Sequence, residues 1–368
     1  MRAGTVGDNT AWAISLDVGG TTTEAGVVNS RGQIIARLKM PTDKHIRGVE
    51  IAEHIVGEVR LLLQRSELQK EQIVGICLGV PGVIDKTTNT IISCPNLTTW
   101  EKLPLDSWVE ERLGIPTFLE KDANQAALGE HWLGAGRDAD YLVCLTLGTG
   151  IGAGIILNGQ LYRGWGGGAG EIGHMILDKD GPLCCCGNRG CWESFASGRA
   201  ITAKATAAVK ELEEGTESLM VELAGGDAIS PEIVFKAARL GDKLAQRIVN
   251  EVVEYLGVGV TNIVNIFNPE MIIIGGGIAQ AGAQVLAPIR QIVRQRARAF
   301  LSETVRIVPA ELGESAGMIG GAYLVFQTLG IEVQTPPRYP VDHVGRKEGC
   351  ISRNNGLSAV ENLKKQIN

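Results

Sequence analysis

Residues 16–34 read LDVGGTTTEAGVVNSRGQI, and residues 145–161 read LTLGTGIGAGIILNGQL. Both stretches predict a β-strand, a turn that contains Gly and Thr, a second strand, a polar turn and a third strand. The same supersecondary unit occurring twice in one chain indicates an internal duplication. A duplicated α/β unit predicts two lobes, and the cleft between such lobes is a usual place for a ligand.

The composition is that of an ordinary globular protein. The chain has 368 residues, which favours two domains, and 44% of them are hydrophobic while 21% are charged. The net charge of −6 argues against a nucleic-acid or anionic membrane surface. The polar first residues lack the apolar segment of a signal peptide, and no apolar run is long enough to span a bilayer. We therefore expect a cytoplasmic protein without a nucleic-acid or membrane partner.

A cluster of thiols lies within residues 170–193, which read GEIGHMILDKDGPLCCCGNRGCWE. Soft thiolates with one imidazole suit a four-coordinate structural Zn²⁺. Zinc binding would also order this segment, because its free energy becomes free energy of folding. A disulfide pair and chance clustering are the alternatives, and the turn residues between the thiols favour the metal. Cys185 is predicted to point away from it. The candidate ligands have the spacing H-x9-C-x-C-x4-C: His174, Cys184, Cys186 and Cys191.

The two Gly-Thr turns are candidates for holding phosphate groups. Glycines let backbone N–H groups approach an anion, threonine hydroxyls add donors, and Asp17 is a candidate to anchor hydrated Mg²⁺. The chain has no GxxxxGK[ST] motif, and each turn leads into a strand rather than a helix, which argues against a P-loop or Rossmann site. The candidate residues are Asp17, Gly19, Gly20, Thr21, Thr22 and Thr23 in the first turn, and Gly148, Thr149 and Gly150 in the second.

Three further residues have both a functional and a structural interpretation. Asp122, in EKDANQAALGE, lies between a predicted strand and a predicted helix, where it is either an N-cap or a general base for a hydroxyl. Asn96, in CPNLTTW, either orients a polyol hydroxyl or belongs to an ordinary turn. Gly276 lies between a predicted strand and a predicted helix. Its turn either lets an adenine ring lie against the backbone or simply connects the two elements.

Together these motifs resemble the ROK family of sugar kinases and repressors, within the actin/hexokinase-like (ribonuclease H-like) superfamily. The likeness covers about residues 11–330, and the cysteine motif is its most specific part. It implies an α/β fold of two lobes, with duplicated βββαβα units and a structural zinc loop. We expect residues 1–122 with 310–330 to form the first lobe and residues 123–309 the second. The tail, residues 331–368, is expected to be poorly ordered or loosely docked.

The resemblance is strongest to bacterial glucokinases, and it implies transfer of the ATP γ-phosphoryl group to the 6-hydroxyl of a hexose. The implied cofactors are ATP, catalytic Mg²⁺ and structural Zn²⁺. Asp122 would be the base, Gly276 would lie near the nucleotide, and His174 would serve both the zinc and the sugar. Lys121 stands where the family usually has Asn, which puts the choice of sugar in question. The residues expected to contact the sugar are Gly82, Asn96, Lys121, Asp122, Glu171, His174 and Glu193.

Several alternatives are compatible with the sequence. The acceptor can be another hexose, such as mannose, fructose or N-acetylmannosamine, and the donor can be polyphosphate. A sugar-binding regulator without catalysis is a further alternative. A repressor of this family carries an N-terminal helix-turn-helix domain, and the first strand, predicted to begin near Ala13, leaves no room for one. We expect a homo-oligomer, either a dimer or a tetramer.

Overall fold

The computed structural model of the chain describes residues 10–94, 97–212 and 218–335, and its strands fall into two halves. The first half contains β1 (Trp12–Val18), β2 (Thr22–Asn29), β3 (Ile34–Pro41), β4 (Ile73–Val80), β5 (Val83–Asp85), β6 (Thr90–Ser93) and β7 (Thr117–Lys121). The second half contains β8 (Leu142–Leu147), β9 (Ile151–Leu157), β10 (Gln160–Leu161), β11 (Met271–Gly275) and β12 (Arg306–Pro309).

The two main sheets have the same topology. One has the strand order β3-β2-β1-β4-β7 and the other β10-β9-β8-β11-β12. In each sheet the first three strands of the chain pair antiparallel, and the last two join them in parallel. The predicted duplication is therefore confirmed. Each sheet has five strands, which is one more than the four strands of the predicted βββαβα unit.

Helices occupy most of the chain between the strands. The strands β4 and β11 are buried along nearly their whole length, because helices cover the parallel part of each sheet. Side chains of Ser197, Ser230 and Asp242 cap the helices that follow them by accepting a backbone N–H from the first turn. The helices are α1 (Val49–Ser66), α2 (Leu105–Leu113), α3 (Asp122–Trp132), α4 (Trp192–Ala196), α5 (Gly198–Lys210), α6 (Leu219–Ala224), α7 (Pro231–Arg239), α8 (Lys243–Phe267), α9 (Ala283–Arg296), α10 (Ala299–Thr304) and α11 (Ala316–Thr328).

Two helices join the sheets to each other. The α11 helix packs on the first sheet, α3 packs on the second, and the two helices contact each other along their length. Glycines allow this close approach: a Cβ added at Gly320 would lie 1.7 Å from the backbone oxygen of Gln125. A Cβ at Gly129 would lie 2.2 Å from the backbone oxygen of Ala316. This crossing makes the turn after β1 and the turn after β8 face one cavity.

Some elements differ from the sequence-based expectation. The β5–β6 hairpin and the short helices α4, α6 and α10 were not predicted, because short elements carry little periodicity. The helix that the sequence predicts over Asn124–Gly134 begins at Asp122 and ends at Trp132. None of the helices within the described ranges is long and apolar enough to cross a membrane.

The beginning of the expected tail is docked rather than loose. The backbone N–H of Gln334 donates to the carbonyl of Ser30 at 3.0 Å, and its carbonyl accepts the Trp132 indole N–H at 3.1 Å. The side chains of Ile331 and Val333 pack against the core around α11. The rest of the tail, including a terminal helix predicted over Ser358–Gln366, lies outside the described residues.

Candidate active site

The Gly-Thr turns of the two sheets face a common cavity of about 340 Å³. Most of the residues singled out in the sequence line it, although they are spread over more than half of the chain. Asp17, Thr22 and Thr23 do not line it, and the Thr23 hydroxyl is buried 2.9 Å from that of Thr42. Asn96 lies outside the described residues. The predicted residues that line the cavity are Gly19, Gly20, Thr21, Gly82, Lys121, Asp122, Gly148, Thr149, Gly150, Glu171, His174, Glu193 and Gly276.

The two turns are held by hydrogen bonds within their own backbone. The Gly19 N–H donates to the Thr22 carbonyl at 2.9 Å, and the Gly148 N–H donates to the Gly150 carbonyl at 3.0 Å. Gly276 has a φ of +87°, and a Cβ there would lie 2.5 Å from the Leu147 oxygen. Glycine is required at this position because the backbone of β8 passes so close.

Two aspartates next to the cavity have raised pKa values. Asp122 begins α3, and its carboxylate accepts the Ala123 N–H at 2.7 Å. Burial raises the pKa of Asp122 to about 6; Glu171 adds to this rise, while the Ala123 N–H and Lys121 oppose it. Burial, together with Asp122 and Glu24, raises the pKa of Asp17 to about 7. Asp122 can therefore take up a proton near neutral pH, and a cation beside Asp17 would relieve the repulsion between these carboxylates.

The other two carboxylates that line the cavity, those of Glu171 and Glu193, each lie beside a positively charged side chain. The Lys121 ammonium donates to Glu171 Oε1 and lies 3.4 Å from the Gly170 carbonyl oxygen. The Arg199 guanidinium lies 3.5 Å from Glu193 Oε1. Arg199 was not predicted as a site residue. Its helix begins against the second turn, where the Gly198 N–H donates to the Gly148 carbonyl at 2.8 Å, and no local motif signals that contact.

The four candidate zinc ligands come together. Their ligand atoms all lie within 4.8 Å of one another. Both the distance from Cys184 Sγ to His174 Nδ1 and that from Cys186 Sγ to Cys191 Sγ are 3.6 Å. A tetrahedron with metal–ligand bonds of about 2.0–2.3 Å has edges close to this length, whereas a disulfide has sulfurs about 2 Å apart. The donor set and spacing therefore fit Zn²⁺, and these cysteines are free thiols.

His174 and Cys185 connect this cluster with the cavity. His174 turns Nδ1 towards the thiols, while Nε2 lies 3.8 Å from Glu171 Oε2. Cys185 does not belong to the four-ligand set but lines the cavity, and its thiol lies within 4.8 Å of that of Cys184. Its thiol donates to Glu193 Oε1 at 3.1 Å and lies 3.1 Å from Arg199 Nη2. Cys185 also forms a second, smaller group of possible metal ligands with Cys184 and Glu193.

A larger cavity of about 770 Å³ adjoins the first and shares Gly148, Thr149 and Arg199 with it. Its volume is in the range of sites for drug-sized ligands. The sequence predicted a nucleotide contact near Gly276, but not the side chains of this second cavity. They include Ser230, Glu232, Phe235, Arg239, Ile278 and Gln280.

Comparison with known proteins places the chain in a family. The ROK family profile matches residues 13–328. A glucokinase of Halalkalibacterium halodurans is 38% identical over 317 residues, which are 86% of this chain and 95% of that enzyme. A xylose repressor of Caldicellulosiruptor bescii is 33% identical over 320 residues, which are 86% of this chain and 78% of the repressor.

Solved structures agree with these sequence matches. The crystal structure of a ROK family glucokinase from Streptomyces griseus, in complex with glucose and AMPPNP, is similar with a TM-score of 0.73 and 35% identity. The match covers 86% of this chain and all of that one. A similarity of this size means that the two chains share the α/β architecture described above. The chain belongs to the ROK family.

Proposed function

We propose that this protein is an ATP-dependent hexose kinase, and that glucose is its acceptor and glucose 6-phosphate its product. One observation carries the proposal: Asp122, with a pKa raised to about 6, lies in the cavity where the two Gly-Thr turns meet the polar side chains. The relatives that are glucokinases, and the glucose and AMPPNP bound to the Streptomyces griseus enzyme, support this choice of substrates.

In the proposed reaction, the Asp122 carboxylate takes the proton of the sugar 6-hydroxyl while that oxygen attacks the γ-phosphorus of ATP. A general base of this kind contributes about 10²–10⁴-fold. Phosphoryl transfer otherwise depends on positioning and on neutralising charge, which the backbone N–H groups of both turns would supply. Asp17 would hold hydrated Mg²⁺, which offsets negative charge on the phosphates when bound. The bond between the γ-phosphorus and the oxygen that bridges it to the β-phosphate breaks, and ADP is the leaving group.

The sugar would lie on the side of the cavity formed by charged and polar groups. Glu171 and Glu193 accept hydrogen bonds from hydroxyls, and the His174 Nε2 edge completes this wall. We assign Gly82, Asn96 and Lys121 to the same site. Gly82 has a φ of +129°, and a Cβ there would lie 2.0 Å from the Ser93 oxygen, so this part of the wall is backbone. The nucleotide base would occupy the adjoining 770 Å³ cavity, near Gly276.

A structural Zn²⁺ is part of the proposal. His174, Cys184, Cys186 and Cys191 would hold it, and it would fix the segment that also carries Glu171 and Glu193. The support is the match between the ligand-atom distances and a tetrahedral site. Because four protein ligands leave no open position, the metal would orient the sugar site rather than activate a water molecule.

We further propose that residues 1–122 with 310–330 and residues 123–309 act as two lobes that close on the substrates. Two separate hydrophobic cores, one on each sheet, support this division, while a third core joins the sheets through α3 and α11. Closure would exclude water, which competes with the sugar as nucleophile. A homo-oligomer, dimer or tetramer, is part of the same proposal, and light scattering of the purified protein tests it.

A sugar-binding regulator is the second candidate, since a xylose repressor is among the relatives. Mannose, fructose or N-acetylmannosamine as acceptor, and polyphosphate as donor, keep the chemistry but change a substrate. The placement of Asp122 beside both phosphate-type turns favours catalysis over binding alone.

A coupled assay of ADP release across a hexose panel tests the proposal, with ATP and polyphosphate compared as donors. Asp122→Asn should bind sugar with unchanged affinity in calorimetry, yet lose about 10²-fold or more of the turnover, because only the base is removed. Unchanged turnover in this variant would dismiss Asp122 as the base. Sugar binding without turnover in the native protein would favour the regulator.

A further inference from the structure

The charged side chains around the smaller cavity form pairs. Three carboxylates line it, those of Asp122, Glu171 and Glu193, together with the cations Lys121 and Arg199. Lys121 pairs with Glu171, and Arg199 pairs with Glu193. Within the described part of the chain, the Asp122 carboxylate has no ion-pair partner. Glu171 and Glu193 therefore each have an ion-pair partner, whereas the proposed base has none among the described residues and interacts with Lys121 only at longer range.

Lys121 is held almost entirely inside the protein. It is the last residue of β7, and only 7% of its surface is exposed. Its ammonium has three N–H groups. One donates to Glu171 Oε1, and a second is directed at the Gly170 carbonyl at 3.4 Å. One N–H group remains for a ligand in the cavity.

The Lys121–Glu171 pair connects two walls of the cavity. Lys121 ends a strand of the first sheet, whereas Glu171 lies in the segment that follows β10 of the second sheet. The second oxygen of Glu171 lies 3.8 Å from His174 Nε2. Lys121 and His174 therefore flank the Glu171 carboxylate. Its orientation depends on Lys121, which comes from the other wall of the cavity.

We propose that Lys121 is a specificity-determining residue of the acceptor site, which holds Glu171 as an oriented hydroxyl acceptor and donates its remaining N–H to the same sugar. This inference rests on the proposed kinase function. A hydroxyl both donates and accepts, so it can bridge the ammonium and the carboxylate. The pair thus selects a neutral polyhydroxy acceptor. An anionic sugar finds the cation already paired and other carboxylates facing it.

The Lys121 side chain is buried and that of Glu171 is partly exposed, with exposed fractions of 9% and 35%. Removing one partner of such a pair costs more than removing both, because the remaining charge is left without compensation. Lys121→Met should therefore raise the KM for the sugar about tenfold or more, with the KM for ATP changed less than about twofold. Added to Glu171→Gln, the same substitution should cost less than about threefold, because its partner is already neutral. Lys121→Arg keeps the cation and should recover most of the lost sugar affinity.

The experiment measures kcat and both KM values for the native protein, K121M, K121R, E171Q and the K121M/E171Q double variant. Calorimetry with sugar alone is run beside it. Lys204→Met is the matched control, since Lys204 pairs with Glu251 on the surface, outside both cavities; it should behave like the native protein. Monodeoxy glucoses extend the panel: the analogue that lacks the hydroxyl bound by Lys121 should show a smaller penalty for K121M than glucose does.

Three results would overturn the inference: an equal cost of K121M in both backgrounds, a loss confined to the KM for ATP, or an unchanged preference among the deoxy sugars. If K121M does not fold, K121R and E171Q still test the coupling. K121R keeps the pair and should keep the native preference among the deoxy sugars, whereas E171Q removes the pair and should lose it; the same preference in both variants would overturn the inference. A native protein that phosphorylates no sugar would refute the proposed function instead. Calorimetric sugar binding would still decide the role of Lys121.

Discussion

At the scale of single residues, the chemistry of this site depends on what surrounds Asp122. Its carboxylate lies next to Lys121, faces Glu171, and shares its surroundings with Asp17. Burial favours the protonated acid, and the neighbouring ammonium opposes that effect. The result is a carboxyl group whose pKa of about 6 lies close to working pH, which is where a general base is most effective.

This environment predicts the pH dependence of the reaction. Asp122 acts as a base only when ionised, and its pKa is raised from 3.8 to about 6. The kcat/KM for sugar should therefore fall as the pH drops through about 6 and level off above it. Glu171→Gln should move this limb to lower pH, because Glu171 raises the pKa of Asp122. The test is a pH–rate profile with Lys204→Met as control; an acid limb at the ordinary aspartate pKa would contradict it.

At the scale of elements, the segment 170–193 stands out because little regular structure holds it. It contains one short 3₁₀ turn over Ile172–His174, and two isolated β-bridges join Ile176 to Cys191 and Leu183 to Arg189. A Cβ at Gly190 would lie 1.5 Å from the Asp178 oxygen, so the fold of the loop depends on this glycine. Ligation by side chains would add rigidity to the backbone hydrogen bonds of this loop, such as that from the Leu177 N–H to the Gly190 carbonyl.

If the proposed Zn²⁺ is bound, we expect its removal to release the sugar before the protein unfolds. Treatment with a chelator, or Cys186→Ser, should weaken sugar binding at least about tenfold, since loss of a structural zinc removes the ordering of the loop that carries Glu171. Elemental analysis, calorimetry and thermal melting measure metal content, affinity and global stability. Cys185→Ser should keep the metal if the four-ligand set holds it, and lose it if the smaller group of Cys184, Cys185 and Glu193 does. Active protein without any metal would refute the zinc site.

At the scale of the whole molecule, the α3–α11 crossing couples the two sheets to the site. Asp122 begins α3, and Gly317 of α11 abuts Asp17, where an added Cβ would lie 2.1 Å from Oδ2. The helices that join the sheets therefore also position both aspartates. A substitution that changes the separation of α3 and α11 would therefore displace these aspartates, even if it replaces no residue that lines the cavity.

Gly320→Ala tests this coupling. The new methyl group would meet the Gln125 oxygen at 1.7 Å, so the helices must separate. Overpacking of this kind costs about 1–3 kcal/mol of the free energy of unfolding, and turnover should fall with it. Gly57→Ala, in the middle of α1 with open space around the position, is the matched control and should stabilise the protein by about 0.5–1 kcal/mol. Denaturant unfolding measures the stability of both variants. A Gly320→Ala variant as stable as the native protein would contradict this expectation, because the crossing would then tolerate a wider spacing of the helices.

The sequence by itself determined the duplicated strand–turn units, the candidate zinc ligands and most of the residues that line the cavity. Strand alternation, turn glycines and ligand types are local properties, so they can be recognised along the chain. Only the tertiary structure decided that Arg199 pairs with Glu193, that Lys121 reaches Glu171, and that the Thr23 side chain faces the core. Such pairs join residues far apart in sequence, and their distances depend on how the helices and sheets pack against each other, which no local pattern records.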